Sequence, residues 1–539
     1  TYMCTASIGP GSLNMVTGAA LATTNRLPVL LFPSDQFATR VPDPVLQQLE
    51  DPTSLDVSVN DAFRPVSRFF DRINRPEQLI PSLLSAMRVL TDPAETGAVT
   101  IAMPQDVQAE VFDWPVELFR KRVWHVRRPV PEPAALERAV ALINAAKRPL
   151  IIAGGGTIYA GASEELRALA TATGIPVGDT QAGKGAINFD HPSAVGGVGS
   201  TGCDSGNHIA DKADLIIGVG TRYSDFTTAS KTQFKNPDVK FVNINVTPFD
   251  AAKESAEMVV ADAREALAAL TEALADYRVE AAYSEEITAE KEAWLKATER
   301  CYHLDHGPLP AQTEVFGALN ELMGEEDVVI NAAGSMPGDL QALWQARSPL
   351  QYHVEYAFSC MGYEVPAAMG VKLARPEAEV VSIVGDGTYQ MLPMELATVV
   401  QENIKVIYVL LQNYGFCSIG ALSESRGSQR FGTKYRQRGE GSHLADEQVI
   451  DGVDIAANAR SWGLEVLEVH TIAEFKEAYR KAEASDRPTM IHIETDLYGP
   501  NPPGSSWWDV PVSGVSELES TQRAYEEYLR DRKPQRHYL

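Results

Sequence analysis

Dense apolar runs punctuate the chain at intervals, and Gly, Pro, Asn or Asp closes each of them. They are "RLPVLLF", "AVTIAMP", "RPLIIAGGG", "DLIIGVGT", "VKFVNINV", "EDVVINAAG", "EVVSIVGDG", "IKVIYVLLQN" and "PTMIHIETD". Their apolar positions are consecutive and not alternate, and they are rich in Val and Ile, which predicts strands buried on both faces. Amphipathic stretches of helical period lie between them, for example Pro133 to Ala146 and Glu314 to Leu322. Strands alternating with helices predict an α/β fold of doubly wound parallel sheets. Proline and charge accumulate in "KRVWHVRRPVPEP" and again in "YSEEITAEKEAWLKATER", which marks two linkers. Three domains are therefore expected, over residues 1–120, 128–280 and 301–505, followed by a tail over 506–539 with a charged helix at Glu517 to Arg532.

Composition narrows the partners. The 72 acidic and 47 basic side chains give a formal charge of −25, which opposes non-specific contact with nucleic acid or anionic membrane. A small-molecule partner is expected. Cys4, Cys203, Cys301, Cys360 and Cys417 show no paired spacing, so the pattern suggests neither a disulfide framework nor a zinc site, and a reducing cytoplasm is the expected location. No apolar run approaches the ~20 residues that span a bilayer.

The chemistry concentrates in "VVSIVGDGTYQMLPMELATVVQENIKVIYVLLQNYGF". One buried strand ends at Gly385-Asp386-Gly387 and the next at Asn413-Tyr414-Gly415, so both turns fall on the sheet edge where parallel folds place ligands. An Asp carboxylate and an Asn amide oxygen are hard donors suited to magnesium or calcium. Gly385 and Gly387 would admit a phosphate to the main-chain N–H groups at the start of the next helix. Either turn alone is an ordinary loop; the pair is informative.

The 27-residue step from Asp386 to Asn413, with "NYG" directly after a buried strand, resembles the motif of the thiamine diphosphate (ThDP) enzymes. The resemblance implies the three-domain architecture of that superfamily, of the acetolactate synthase-like type, with pyrimidine-binding, central Rossmann-like and diphosphate-binding domains in that order. It further implies that Asp386, the Asn413 side chain and the Gly415 carbonyl hold Mg2+ against the diphosphate, with Thr388 nearby. Met361, in "CMGYEVPAAMG", falls where the family has an apolar wedge between the cofactor's two rings, and Gly334 and Ser335 of "NAAGSMPGDL" fall where relatives contact the diphosphate. "SIGPGSLN" resembles the SGPGxxN turn of the pyrimidine-binding domain, and "AMPQDV" its later P-x-D-V. In the family, a glutamate that activates the aminopyrimidine precedes that turn, so it is expected upstream of Thr1, the first domain is expected to be amino-terminally truncated, and no catalytic residue is carried over onto this chain. Without that carboxylate, activation is expected to fall by roughly 10² to 10⁴.

Several stretches are similar to a narrower family, the ThDP hydrolases that open 3D-(3,5/4)-trihydroxycyclohexane-1,2-dione to 5-deoxy-glucuronate in myo-inositol breakdown. They are "PDPVLQQLE", "PVSRFFDRINRPEQL", "GTRYSDFTTASKTQF", "AGSMPGDLQALW", "YHVEYAFSCMGYE" and "WWDVPVSGVSE". "AF" at Ala357-Phe358 and the following "VPAAMG" depart from that family's pattern towards the wider superfamily. The resemblance implies a cyclic polyhydroxy dione as substrate and self-association as a dimer or tetramer. An acetolactate synthase-like lyase or carboligase acting on 2-oxo acids and a non-catalytic homologue are the alternatives. His353, Glu355, Tyr356 and Ser359 are candidates for the ring hydroxyls, although each reads first as structural. Cys360 reads as a small buried side chain, "AGGG" as a structural turn in preference to a nucleotide site, and Trp507-Trp508 as anchors of the tail.

Overall fold

The computed structural model describes residues 3–40, 43–437 and 453–536. The chain divides into two compact units, Thr1–Arg128 and Pro129–Leu539.

The first unit is built on a four-stranded parallel sheet in the order Met3–Ala6, Val29–Asp35, Ala98–Pro104, Phe69–Arg72. Leu31, Val99 and Ile101 are fully or almost fully buried, and Phe63 and Ala86 cover them. Arg72, at the end of an edge strand, reaches across to Asp35 Oδ2 (2.7 Å), Asp61 Oδ2 (3.0 Å) and Ser58 Oγ (2.9 Å). Asp106 of the P-x-D-V stretch accepts the N–H groups of Ala38 (2.9 Å) and Thr39 (3.1 Å), so it fastens the loop that leaves the neighbouring strand.

The second unit holds two six-stranded parallel sheets. One runs Glu257–Val260, Lys240–Asn245, Leu215–Val219, Pro149–Ala153, Val177–Asp179, Ala194–Gly197. The other runs Tyr352–Val354, Val328–Asn331, Val380–Gly385, Ile407–Gln412, Thr489–Glu494, Glu465–Val469. Side-chain alternation along Val380–Gly385 explains its unbroken apolar run. Val381 and Ile383 enter the core with Phe316, Trp344 and Phe475, while Val380 and Val384 enter the opposite core with Val365, Leu396 and Tyr408.

The nine runs read from the sequence are all strands, and the helices at Pro133–Ala145, Gln312–Leu322 and Glu519–Asp531 lie where the periodicity places them, within two residues at each end. The tail is sewn down by specific bonds. Trp508 Nε1 donates to Asp225 Oδ2 (2.7 Å) and its ring lies 4.9 Å from that of Phe226, while Trp507 packs with Val512, Ala524 and Tyr528. No helix among the described residues is long and apolar enough to cross a membrane.

Replacing fully buried Ile383 by Ala is expected to cost about 2–5 kcal/mol. The check is a urea titration, in which the midpoint of the transition involving Pro129–Leu539 falls while its slope holds.

Candidate active site

In the sheet that holds Val380–Gly385, the chain passes from Val328–Asn331 outward to the edge strand Tyr352–Val354, then returns to Val380–Gly385 on the other side. The order therefore reverses between Val328–Asn331 and Val380–Gly385, and such a reversal leaves a crevice at the carboxyl ends of the two strands. The segments bordering it are Ala332–Ser335 and Gly385–Thr388, and the next strand contributes Asn413–Gly415.

The register pairs Gly385 with Leu411, so Asp386 is level with the end of the neighbouring strand. Its carboxylate is 1% exposed, and Oδ2 accepts the N–H groups of Asn413 (3.1 Å) and Tyr414 (2.6 Å). Burial pushes the Asp386 carboxyl up to about 6, against the pull of the N–H groups of Tyr414, Asn413, Gly387 and Gly415. The Asn413 main chain is thus held by Asp386, and its side-chain Oδ1 is buried with no hydrogen-bond partner. A buried acceptor without a donor is costly unless something fills the position.

Tyr414 adopts a left-handed conformation (φ 61°) and donates its hydroxyl to Glu494 Oε1 at 2.5 Å. Gly415 follows and pairs with Lys434, where a Cβ would stand 2.1 Å from the Thr433 carbonyl oxygen. Only glycine lets those backbones approach. A Cβ on Gly387 would press on the Phe416 ring at 2.9 Å, whereas one on Gly385 would meet only Met336 Cε at 3.6 Å.

Gly334 owes its identity to conformation, since φ is +94° and a Cβ there would meet nothing within 4 Å. Ser335 next to it immediately precedes the helix Met336–Leu343 without a side-chain cap, and its hydroxyl exchanges hydrogen bonds with the Gln312 amide at 3.1 and 3.2 Å. Met361 is partly exposed, and the N–H of the following Gly362 donates to Thr388 Oγ1 at 2.7 Å. The nine cofactor residues named from the sequence therefore fall on four segments at one sheet edge.

The residues considered for the substrate hydroxyls are differently engaged. Glu355 uses both oxygens on its own loop, accepting the N–H groups of Phe358 (3.0 Å) and Cys360 (2.6 Å). His353 Nε2 lies 2.8 Å from the Tyr363 hydroxyl, and burial lowers the pKa of its ring. Tyr356 packs edge-on against Phe226, and Ser359 is exposed with φ 55°. Burial raises the Cys360 thiol, which disfavours a nucleophilic thiolate. One residue escaped the sequence reading. Glu364 is fully buried and bonds to both the 333 loop and Thr388. In the sequence it is simply an acid in the first turn of an apolar helix.

The triple glycine of the central region serves packing. A Cβ on Gly154 would lie 2.4 Å from the Gly220 carbonyl oxygen, and the Gly156 N–H donates to that same oxygen at 3.0 Å.

Family models match this architecture. Residues 136–270 match the central domain of thiamine pyrophosphate enzymes, and residues 332–493 match their C-terminal TPP binding domain. The chain belongs to the thiamine pyrophosphate enzyme family, as its motifs suggest. Among its curated relatives, the 3D-(3,5/4)-trihydroxycyclohexane-1,2-dione hydrolase of Bacillus cereus (strain AH820) is 45% identical over 99% of this chain and 87% of its own length. A second such hydrolase, from another strain of Bacillus cereus, is 46% identical, and one from Bacillus anthracis is 45% identical, each over the same shares. The chain is a homologue of these hydrolases over nearly its whole length.

The close approach at Gly415 predicts a position-specific result. Gly415→Ala is expected to lower the melting temperature by several degrees, while Gly385→Ala leaves it nearly unchanged, as differential scanning calorimetry would show.

Proposed function

We propose that the protein is a ThDP- and Mg2+-dependent hydrolase that opens 3D-(3,5/4)-trihydroxycyclohexane-1,2-dione at the bond between its two carbonyls, giving 5-deoxy-glucuronate in myo-inositol degradation. The observation that carries this reading is the 45–46% identity to hydrolases of that name over 99% of the chain. The reaction consumes one water: one carbonyl carbon becomes a carboxylate and the other an aldehyde.

The residues present fit the cofactor. The Asp386 carboxylate holds the Asn413 main chain, the Asn413 Oδ1 has no partner, and with the Gly415 carbonyl these would make an all-oxygen donor set suited to Mg2+. These three would hold the metal, and Gly334, Ser335, Gly385, Gly387 and Thr388 would border the diphosphate. Met361 would pack against the cofactor. When bound, ThDP supplies a carbon nucleophile for one carbonyl and an electron sink for the bond that breaks. Asp386 keeps the Asn413 turn fixed, and the bonds from Phe416 N–H to the Thr433 carbonyl and from Tyr435 N–H to the Tyr414 carbonyl fix the chain on either side of Gly415. We assign no acid of this chain to cofactor activation. We also propose a cytoplasmic protein that self-associates, at least as a dimer.

The test titrates ThDP with Mg2+ calorimetrically into this chain and into a form extended at its amino terminus to the length of its relatives. Saturable binding by the extended form, abolished in Asp386→Ala, is expected, with ring opening of the cyclic dione and no decarboxylation of pyruvate. Absence of binding by the extended form would overturn the cofactor reading. Pyruvate turnover without ring opening would replace the hydrolase with a carboligase. Light scattering is expected to give a mass of at least two chains.

A further inference from the structure

Glu364 sits in the first turn of the helix Glu364–Ala374 and is completely buried. Its Oε1 accepts the N–H of Ala333 (3.2 Å), immediately before Gly334 and Ser335. Its Oε2 accepts the hydroxyl of Thr388 (2.9 Å), in the turn that begins at Asp386. The same Thr388 oxygen accepts the N–H of Gly362 (2.7 Å), which follows Met361. A hydroxyl has one proton to give and lone pairs to receive, so the chain of bonds runs in one sense, from Gly362 N–H through Thr388 to Glu364. One carboxylate thus ties together the 333–335 loop, the 361–362 loop and the 386–388 turn.

The arrangement extends past the helix. Glu355, 2% exposed, fixes the N–H groups of Phe358 and Cys360, so Met361 is flanked by one segment fastened to Glu355 and another fastened through Thr388 to Glu364. A buried acid is expensive and stability alone does not favour keeping it, because an apolar residue of similar volume would fill the space at less cost. Burial raises the Glu364 carboxyl above the usual range, and the contacts opposing this are with N–H groups and the Thr388 hydroxyl. What the acid supplies is a fixed spacing between three loops.

We propose that Glu364 is a positioning residue for the cofactor: through Ala333 and Thr388 it holds the loops bordering the diphosphate and the Met361 support at the spacing that ThDP requires. This rests on the cofactor site described above. Glu364 touches neither cofactor nor substrate; it acts through the segments that do.

The test measures ThDP affinity in the presence of Mg2+, with the melting temperature of the cofactor-free protein recorded alongside, in the amino-terminally extended protein. Glu364→Gln keeps the volume but gives up the charge and one acceptor, so the Ala333 N–H and the Thr388 hydroxyl can no longer both donate to it, and it is expected to raise the Kd for ThDP about tenfold. Thr388→Val, which breaks the same bridge and also removes the acceptor of the Gly362 N–H, is expected to raise it at least as far, and Thr388→Ser to restore near-native affinity. The double variant Glu364→Gln/Thr388→Val is expected to bind no more weakly than Thr388→Val alone, because the bridge that Glu364→Gln weakens is already cut there. A merely structural role would lower the melting temperature, leave the Kd alone, and give additive losses; a Kd for Glu364→Gln within about twofold of the unsubstituted protein overturns the inference. Should Glu364→Gln fail to fold, Glu364→Met, which removes both acceptors at similar volume, is judged by the same twofold criterion. Binding that Asp386→Ala abolishes but that ignores Glu364 and Thr388 overturns this inference and leaves the site standing. Absence of binding by the unsubstituted protein removes the site and the inference together.

Discussion

The site depends on one constraint: two adjacent parallel strands end level with each other, and the carboxylate at the end of one takes the main-chain N–H groups at the end of the other. Asp386 makes that connection to Asn413 and Tyr414. Everything beside it follows. With its first two N–H groups claimed, the turn carries Tyr414 into the left-handed region, and the chain then leaves the sheet at Gly415. The Thr433–Tyr435 segment comes to backbone contact there, with Phe416 N–H on the Thr433 carbonyl and Tyr435 N–H on the Tyr414 carbonyl, both at 2.7 Å. The Asn413 side chain is left over, with its oxygen facing no donor. A sheet edge that already satisfies its own backbone therefore leaves one buried amide oxygen unsatisfied and one buried carboxylate holding the turn that carries it.

How much of this was legible in the sequence depends on where each strand lies in its sheet. The apolar runs are Val and Ile at consecutive positions because interior strands are covered on both faces, as with Ile407–Gln412, buried at every position. Edge strands lack that signature. Phe69–Arg72 ends in Asp and Arg, Glu465–Val469 carries two glutamates, and Tyr352–Val354 is three residues long. Val177–Asp179 is interior yet also three residues, too short for any period to show. Asp386 and Asn413 could be read because their separation equals one strand–helix–strand step, which fixes them at a common edge. Glu364 could not, since nothing in "MGYEVPAAMG" says that its carboxylate turns inward to two loops, one 31 residues before it and one 24 after.

Glycine takes three different physical roles in the second unit, and sequence alone does not separate them. Gly154 and Gly156 exist so that two loops of the central sheet can touch backbone to backbone. Gly334 stands in open space and is glycine for its positive φ. Gly415 allows a strand-like pairing that no Cβ would survive. The first explains why a glycine-rich turn after a strand is not by itself a nucleotide site: in the central sheet the room such a turn creates is filled by protein. At the third sheet it is the unsatisfied Asn413 amide oxygen that makes the difference.

The acids at this edge divide by what they face. Glu355 and Glu364 direct their oxygens to N–H groups of Phe358, Cys360 and Ala333 and to the Thr388 hydroxyl, so their charge is dispersed into the loops that they hold. Asp386 directs one oxygen to the Asn413 and Tyr414 N–H groups and stands beside an unsatisfied amide oxygen. An anionic diphosphate placed next to three free carboxylates would be repelled, and no single divalent cation would offset them all. Asp386 accepts main-chain N–H groups as well, but of the three it is the one bonded to the Asn413 turn, and under the proposed reading it is the acid that would share a cation with the diphosphate. The same hydrogen bonds that fix the loops therefore set the local charge, and for that reason geometry and electrostatics at this site cannot be altered independently.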